Sequence, residues 1–406
     1  MGALLDKEID GLNLDRSDWQ LVKFGDVAIK QKQSVDRENT DLTRYVKGEH
    51  MYSEDLHLRE WGELTDEYLG PAFIRKFEEG DILYGSRRTY LRKVTIAPFD
   101  GITSNTTFVI KANEEKIDKR LLPFVMLSEG FAQHSIRNSK GSVNPYVNWK
   151  DLAGYEFLLP PKEYHEEIIE LFYLADQSKE LTKVVREKSK RILKSILEYK
   201  VTKLNKSGFP KVRLKDLINI KHGYPFKSEY WSEDDGILPI AVTIGNYDYD
   251  GGFRFRETKI KCYSGDYPID YNLNPGDLLL AMTCQTPGGE ILGIPGIIED
   301  DGRIYLHNQR IGKVELTKRN DISLNYLYLI FLTDSFRRFV FSSASGTKVL
   351  HTSPAKILEY EFYLPSINYQ ESAVDEYQRI FDLDIYALRL VGNQSKLLKN
   401  IINQVF

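Results

Sequence analysis

The chain of 406 residues has only two cysteines, Cys262 and Cys284. That excludes a disulfide framework and a four-cysteine zinc site. Nowhere does it hold about 18 apolar residues in succession, so the sequence offers no membrane-spanning helix. It lacks Gly-x-x-x-x-Gly-Lys-Ser/Thr, which removes a P-loop nucleotide site. Its seven histidines are scattered without metal-ligand spacing, so no metal and no cofactor is expected. The net charge of −4 is not the basic balance that bulk attraction to nucleic acid would produce. The opening MGALLDKEIDGLNLD puts acids where a secretory signal needs an apolar stretch, and a cytoplasmic protein is the expectation.

What is present in excess is aromatic. There are 25 tyrosines and 20 phenylalanines, which fits β-rich packing or a tyrosine-bearing recognition surface. A composition of 42% hydrophobic and 28% charged residues is that of a globular protein, and the length suits two domains.

The chain is written twice. WQLVKFGDVAIKQKQS from Trp19 is answered by FPKVRLKDLINIKHGYPF from Phe209. FEEGDILYGSRRTYL (77–91) is answered by LNPGDLLLAMTCQTP (273–287), and GYEFLLPPKEYHEEI (154–168) by EYEFYLPSINYQESA (359–373). Three matches in one order mark an internal repeat. Each copy opens with short β-like runs broken by Gly, Pro, Asn and Asp, then enters a long helical stretch. No Pro or Gly falls between Pro161 and Gly208, where Ile168, Leu171, Leu174, Leu181, Val184, Ile192, Ile196 and Tyr199 recur at helical spacing. After Pro365 a second such stretch carries Val374, Tyr377, Phe381, Ile385, Leu388, Leu397 and Ile401. The expected fold class is α+β, with two pseudo-symmetric β-rich domains separated by two long antiparallel helices packed as a coiled coil. The expected boundaries are 1–160, a helical spacer 161–207, 208–365 and a second spacer 366–406. Helices packed only on their own domains are the alternative.

GDILYGSRRTYLRKVTIAPFDGITSNTTFVI in the first copy resembles the target-recognition domains of Type I restriction–modification specificity subunits. So do YPFKSEYW, GDLLLAMTCQTPGGEILG and YLHNQRIGKV in the second, and the LPP and LPS junctions ahead of the helices. The junctions depart from that family's frequent Glu-Gln, carrying Tyr164-His165-Glu166 and Tyr369-Gln370-Glu371. The resemblance implies a non-catalytic subunit reading a bipartite sequence in double-stranded DNA, one half-site per domain. It also implies partners: two methyltransferase (M) subunits docked near the helices and restriction (R) subunits for cleavage.

The residues offer candidate DNA contacts of their own. Arg87, Arg88, Arg92 and Lys93 surround Tyr90 after Ser86. Arginine can bridge guanine O6 and N7, and either base can neutralise phosphate. The matching loop holds Thr283, Gln285 and Thr286, where Gln suits adenine. Asn308, Gln309 and Arg310 align roughly with Asn105, Thr106 and Thr107, and could equally satisfy local backbone groups. Lys221, His222, Tyr224 and Lys227 answer Lys30, Lys32 and Gln33 as groove-facing loops or plain surface turns. Lys140 and Ser142 beside Gly141, and Thr347 and Lys348 beside Gly346, occupy equivalent loops before the last strand.

Asn144-Pro145-Tyr146 is one proline short of the NPPY loop of adenine methyltransferases. In the repeat, however, Asn-Pro-Tyr falls on Val349-Leu350-His351, and no glycine-rich cofactor turn precedes it. The chain therefore reads as a recognition subunit rather than a methylase. Its partner could be a separate methylase or a fused methylase-nuclease. A two-headed protein scaffold that reads no DNA is the competing class.

Overall fold

The structure is a computed structural model that describes residues 14–36, 39–65, 69–204, 208–234, 236–255 and 260–406. The opening stretch searched for a secretory signal lies mostly outside the described residues, as do residues 205–207 beside the expected boundary at 207. Two compact units emerge, one of Met1–Val184 with Leu388–Phe406 and one of Val185–Ala387. The expected α+β class is the observed one: β-rich regions alternate with two long helices, Lys162–Ile196 and Ile367–Val405.

In the first unit, Ala28–Gln31, Thr107–Ala112, Ile82–Gly85 and Val94–Ile96 form one antiparallel sheet in that order. Successive side chains on a strand face opposite ways. Ile82, Tyr84, Phe108 and Ile110 enter the main core, while Leu83 and Val109 enter a second one with Val46, Met51 and Phe77. A sheet covered on both faces is the reason ILY and FVI read as unbroken apolar runs. A second sheet adds Gly62–Glu63, Arg44–Val46, Gly101–Ser104 and Phe73–Phe77.

The second unit repeats this plan. Ile218–His222, Ile311–Leu316, Leu278–Ala281 and Pro295–Ile297 form the matching antiparallel sheet. Leu278 and Leu280 face one core, Leu279 and Ala281 another. Its companion sheet has five strands, with Ile240–Val242 parallel to Tyr305–His307.

Each long helix contributes to both units. In the first, Ile168, Ile169 and Phe172 of the central helix share a core with Leu398, Ile401, Ile402 and Val405 of the last. In the second, Leu193 and Ile196 share one with Ala373 and Tyr377. These pairings run antiparallel, as expected.

The buried stripe of the central helix differs from the expected one. Leu181 is 68% exposed and Tyr199 60%. The buried positions are His165, Ile168, Ile169, Phe172, Asp176, Lys179, Ser189, Leu193 and Ile196, of which only Ile168 and Ile196 belong to the expected stripe. Burial of Asp176 and Lys179 is tolerable because they pair with each other at 2.7 Å and Asp176 also meets His57 at 2.6 Å. The two unusual junctions solve one problem alike. The His165 Nε2 lies 3.0 Å from the Pro160 carbonyl, and Gln370 donates from Nε2 to the Pro365 carbonyl at 2.9 Å. Both satisfy a carbonyl at the helix entrance that would otherwise be buried without a partner.

Candidate nucleic-acid interface

The strands of each main sheet end on one side in loops that carry most of the expected contacts. In the first unit, the amide of Ser86 donates to the Thr106 carbonyl at 3.2 Å, and that of Val147 to the Ser86 carbonyl at 3.0 Å. Lys140 and Tyr146 exchange both backbone bonds at 2.8 and 2.9 Å. The Arg88 amide donates to the Pro145 carbonyl at 2.5 Å. The Asn105 amide reaches the Ala72 carbonyl, and the Lys76 amide the Gln33 carbonyl, which draws the 32–34 loop alongside. The structure thus gathers Lys32, Gln33, Arg87, Arg88, Tyr90, Asn105, Lys140 and Ser142, all exposed, around one sheet end.

The second unit builds the same frame from other residues. The Met282 amide donates to the Arg310 carbonyl at 3.0 Å, and the Thr352 amide to the Met282 carbonyl at 3.0 Å. Ser345 and His351 exchange backbone bonds at 2.9 and 2.8 Å. The amide of Gln309 reaches the Tyr224 carbonyl, and that of Tyr224 the His307 carbonyl. So close is the approach that a Cβ on Gly223 would stand 2.2 Å from the Asn308 oxygen, which only glycine avoids. Gln285, Thr286, Gln309, Arg310, Thr347, Lys348 and His222 are exposed here, and Lys227 lies exposed on the turn that follows. These bonds also correct the rough alignment of the two turns by one residue. Ser86 bonds Thr106 where Met282 bonds Arg310, so Asn105 matches Gln309 rather than Asn308.

Several expected contacts face inward. Ser86 donates from Oγ to the Thr106 carbonyl at 2.6 Å. The Thr283 Oγ1 lies 3.1 Å from the His351 Nδ1, and Asn308 Oδ1 accepts from the Arg310 amide at 3.1 Å. The Lys30 ammonium stands 4.1 Å over the Phe108 ring, and burial, with Arg75 and Lys32 nearby, pushes its pKa down. Lys221 similarly sits 5.2 Å over Tyr271, whose ring also packs on half-buried Tyr224. Arg92 grips Glu129 with two bonds of 2.6 Å and Glu54 with one of 2.9 Å. Its hydrogen bonds, with another from Gln133, hold the Glu129 carboxyl down at about 2. Lys93 donates to the Gly48 carbonyl at 2.5 Å, and burial followed by the Arg88 charge lowers its pKa. These side chains brace the loops.

The sequence reading missed residues that the fold brings in. Asn144 accepts from Arg88 Nε at 3.0 Å, and Arg75 donates to the carbonyls of Lys32 and Gln33. Tyr146 and His351 stand at equivalent points of the two ladders, both exposed. The repeat alignment marked these loops as equivalent, but what they face depends on long-range pairing. Elsewhere in the first unit, Asp55, His57 and Glu180 bring ligand-type atoms within 4.8 Å. Arg59 and Lys183 already pair with both carboxylates there. Among the described residues no helix is long and apolar enough to cross a membrane.

Comparisons with known proteins bear out the family resemblance. Residues 16–190 match the model of the Type I restriction modification DNA specificity domain. The chain is 24% identical over 429 aligned residues to the Type I restriction enzyme MjaVIII specificity subunit of Methanocaldococcus jannaschii, covering 98% of this chain and 94% of that one. It is 30% identical over 167 residues to the EcoDI specificity subunit of Escherichia coli, covering 39% and 36%. The fold matches the crystal structure of the Type-I restriction-modification system S subunit from M. genitalium with a TM-score of 0.60 at 13% identity, over 97% of this chain and 98% of that one. It also matches, at 0.60 and 16%, a chain from a structure of type I R-M complex assembly and conformational transition, over 95% and 97%.

Proposed function

We propose that this chain, whose residues 16–190 belong to the family of Type I restriction modification DNA specificity domains, is the DNA-reading subunit of a Type I restriction–modification enzyme. Each unit reads one half of a split target, and the chemistry is supplied by partners: two methyltransferase subunits, with restriction subunits joining for cleavage. The chain itself is non-catalytic in this reading. A single methylase-nuclease partner would suit the same reader.

The observation that carries the reading is the pair of matched loop frames. The backbone bonds of residues 86, 106, 140, 146 and 147 recur at 282, 310, 345, 351 and 352, yet the exposed side chains differ. Equal frames with unequal polar side chains suit two readers of two different sequences. Basic residues at the rim neutralise phosphates and set position, while Arg, Gln and Asn present hydrogen-bond patterns to base edges. The net charge of −4 leaves this attraction to the loops rather than to the whole molecule.

Methylome sequencing of a host carrying the chain with its methyltransferase subunit, against the deletion, tests this. The expected result is one split motif, two short half-sites about a fixed gap, lost in the deletion. With both subunits assembled, an unchanged methylome would instead favour the protein-scaffold reading.

A further inference from the structure

Arg88 combines three features, the first of which it shares with Arg92 (φ 49°) four residues on. Its backbone is left-handed, φ 50°, in a residue other than glycine. Its amide and its Nε are both held by the 144–145 segment, through the Pro145 carbonyl and Asn144 Oδ1. Its side chain is nevertheless exposed, and among the described residues its two terminal nitrogens make no hydrogen bond. Left-handed backbone in a Cβ-bearing residue is unfavourable and persists where surrounding contacts impose it, often at functional sites. Here those contacts aim a planar fork outward with one edge already pinned.

Resting on the DNA-reading function above, we infer that Arg88 is a guanine-specificity determinant of the first unit, and that Asn144 is its positioning residue. A guanidinium whose Nε is occupied presents its remaining N–H groups end-on. Guanine is the base with two acceptors, O6 and N7, side by side in the major groove. Pinning Nε removes rotamers that would otherwise be lost on binding, so the fork meets the base edge preorganised. The Asn-Pro-Tyr segment is thereby a brace for an arginine, which accounts for its partial likeness to a catalytic loop without any catalysis. The second unit holds Cys284 and Val349 at the equivalent positions; Cys284 is buried and neither side chain can form such a fork. Guanine reading by this device belongs to the first unit alone.

The test uses the full chain assembled with its methyltransferase subunit, with the wild-type motif defined first. Arg88→Gly suits the left-handed backbone, so folding is retained while the fork is lost. The expected result is that one G·C pair in one half-site loses its selectivity by roughly tenfold to a hundredfold, the other half-site being untouched. Arg88→Lys behaves like Arg88→Gly, because a point charge cannot replace the fork. Asn144→Ala gives a smaller loss at the same base pair, and Asn144→Asp, which keeps the acceptor, restores it. Binding to duplexes of the motif and of single-base variants distinguishes a phosphate contact, for which Arg88→Gly would weaken all sequences alike and overturn the assignment. A split motif whose half-sites both survive Arg88→Gly would overturn it while leaving the reader function standing. Absence of any split motif in the wild type would sink both.

Discussion

The two units share a backbone and disagree in side chains. Around the first, the ladder of residues 86–88 with 144–147 carries Arg87, Arg88 and Asn144. Around the second, the same ladder at Thr283–Cys284 and Leu350–His351 carries a buried threonine and a buried thiol. The polar reach there moves outward to Gln285, while exposed Thr286 donates its hydroxyl to Glu290. The frame depends on main-chain hydrogen bonds, which any non-proline residue supplies, so its side chains are free to diverge. Divergence of the side chains in this region is what would make the two proposed readers different without a change of fold.

The helix contacts diverge too. In the first unit the ion pairs form two adjacent groups, His57 and Lys179 on Asp176 and Arg59 and Lys183 on both Asp55 and Glu180, tied by the His57 amide donating to Asp55 Oδ1 at 3.0 Å. In the second the helix pairs are looser, Lys190 with Asp250 at 2.9 Å and Arg186 with Asp384 at 3.7 Å.

The comparison is broken most strongly by Phe172→Ala. Phe172 is fully buried, with its ring 4.8 Å from that of Phe124, and its loss should cost the first unit about 3–5 kcal/mol. Hydrogen exchange should show faster opening of the Ile82–Gly85 strand, with Leu278–Ala281 less affected. Equal loosening of both strands would make the two units one cooperative structure.

Asp176→Ala comes next. It removes the acceptor shared by His57 and Lys179 and leaves a buried ammonium, at a cost of roughly 2–3 kcal/mol to the same unit. Burial alone would raise the Asp176 carboxyl, but bonds from His57 and Lys179 outweigh it and hold the pKa at about 2. Its contribution is therefore present above the ordinary value of 3.8 and lost as pH falls through about 2. Chemical denaturation of the variant and wild type at neutral pH measures the difference.

Removing Arg87 and Arg88 together to alanine should cost about 1–3 kcal/mol of base discrimination in one half-site. Gln285→Ala with Thr286→Ala should affect only the other. Competition binding with duplexes altered in either half reads both, and loss in both halves from one pair would end the one-unit, one-half-site assignment.

The smallest effect is the dependence on pH. The hydrogen bond to Asp176, opposed by partial burial, raises the His57 pKa above 6.5, with Asp176, Glu180 and Asp55 adding attraction. A raised value means the contribution is complete below about 6.5 and lost as pH rises through the folded-state value. The imidazole is half-exposed, so solvent screening limits the effect to under about 1 kcal/mol. His57→Gln should flatten this slope in the first unit's exchange rates, leaving the second unit unchanged.

How much was legible can be judged from single features. The doubly covered strands announced themselves as apolar runs, because both faces of each had to be dry. The Gly141–Gly346 register placed Tyr146 opposite His351 in sequence, and the ladders Lys140–Tyr146 and Ser345–His351 have that register. The helical stripe was misread because its middle positions are Asp176 and Lys179, which apolar periodicity passes over. Arg92 looked like a contact residue. Its partner Glu129 lies 37 residues on, and nothing local announces such a pair.

The sequence by itself determined the repeat, the α+β class and the positions of the loops, since these follow from local periodicity, turn chemistry and two copies held side by side. Only the tertiary structure decided which side chains in those loops are spent internally and which are left exposed. Hydrogen bonds and ion pairs between distant segments satisfy some polar groups and not others. Which groups they satisfy depends on where folding brings Glu129 to Arg92, Asn144 to Arg88 and Asp176 to His57.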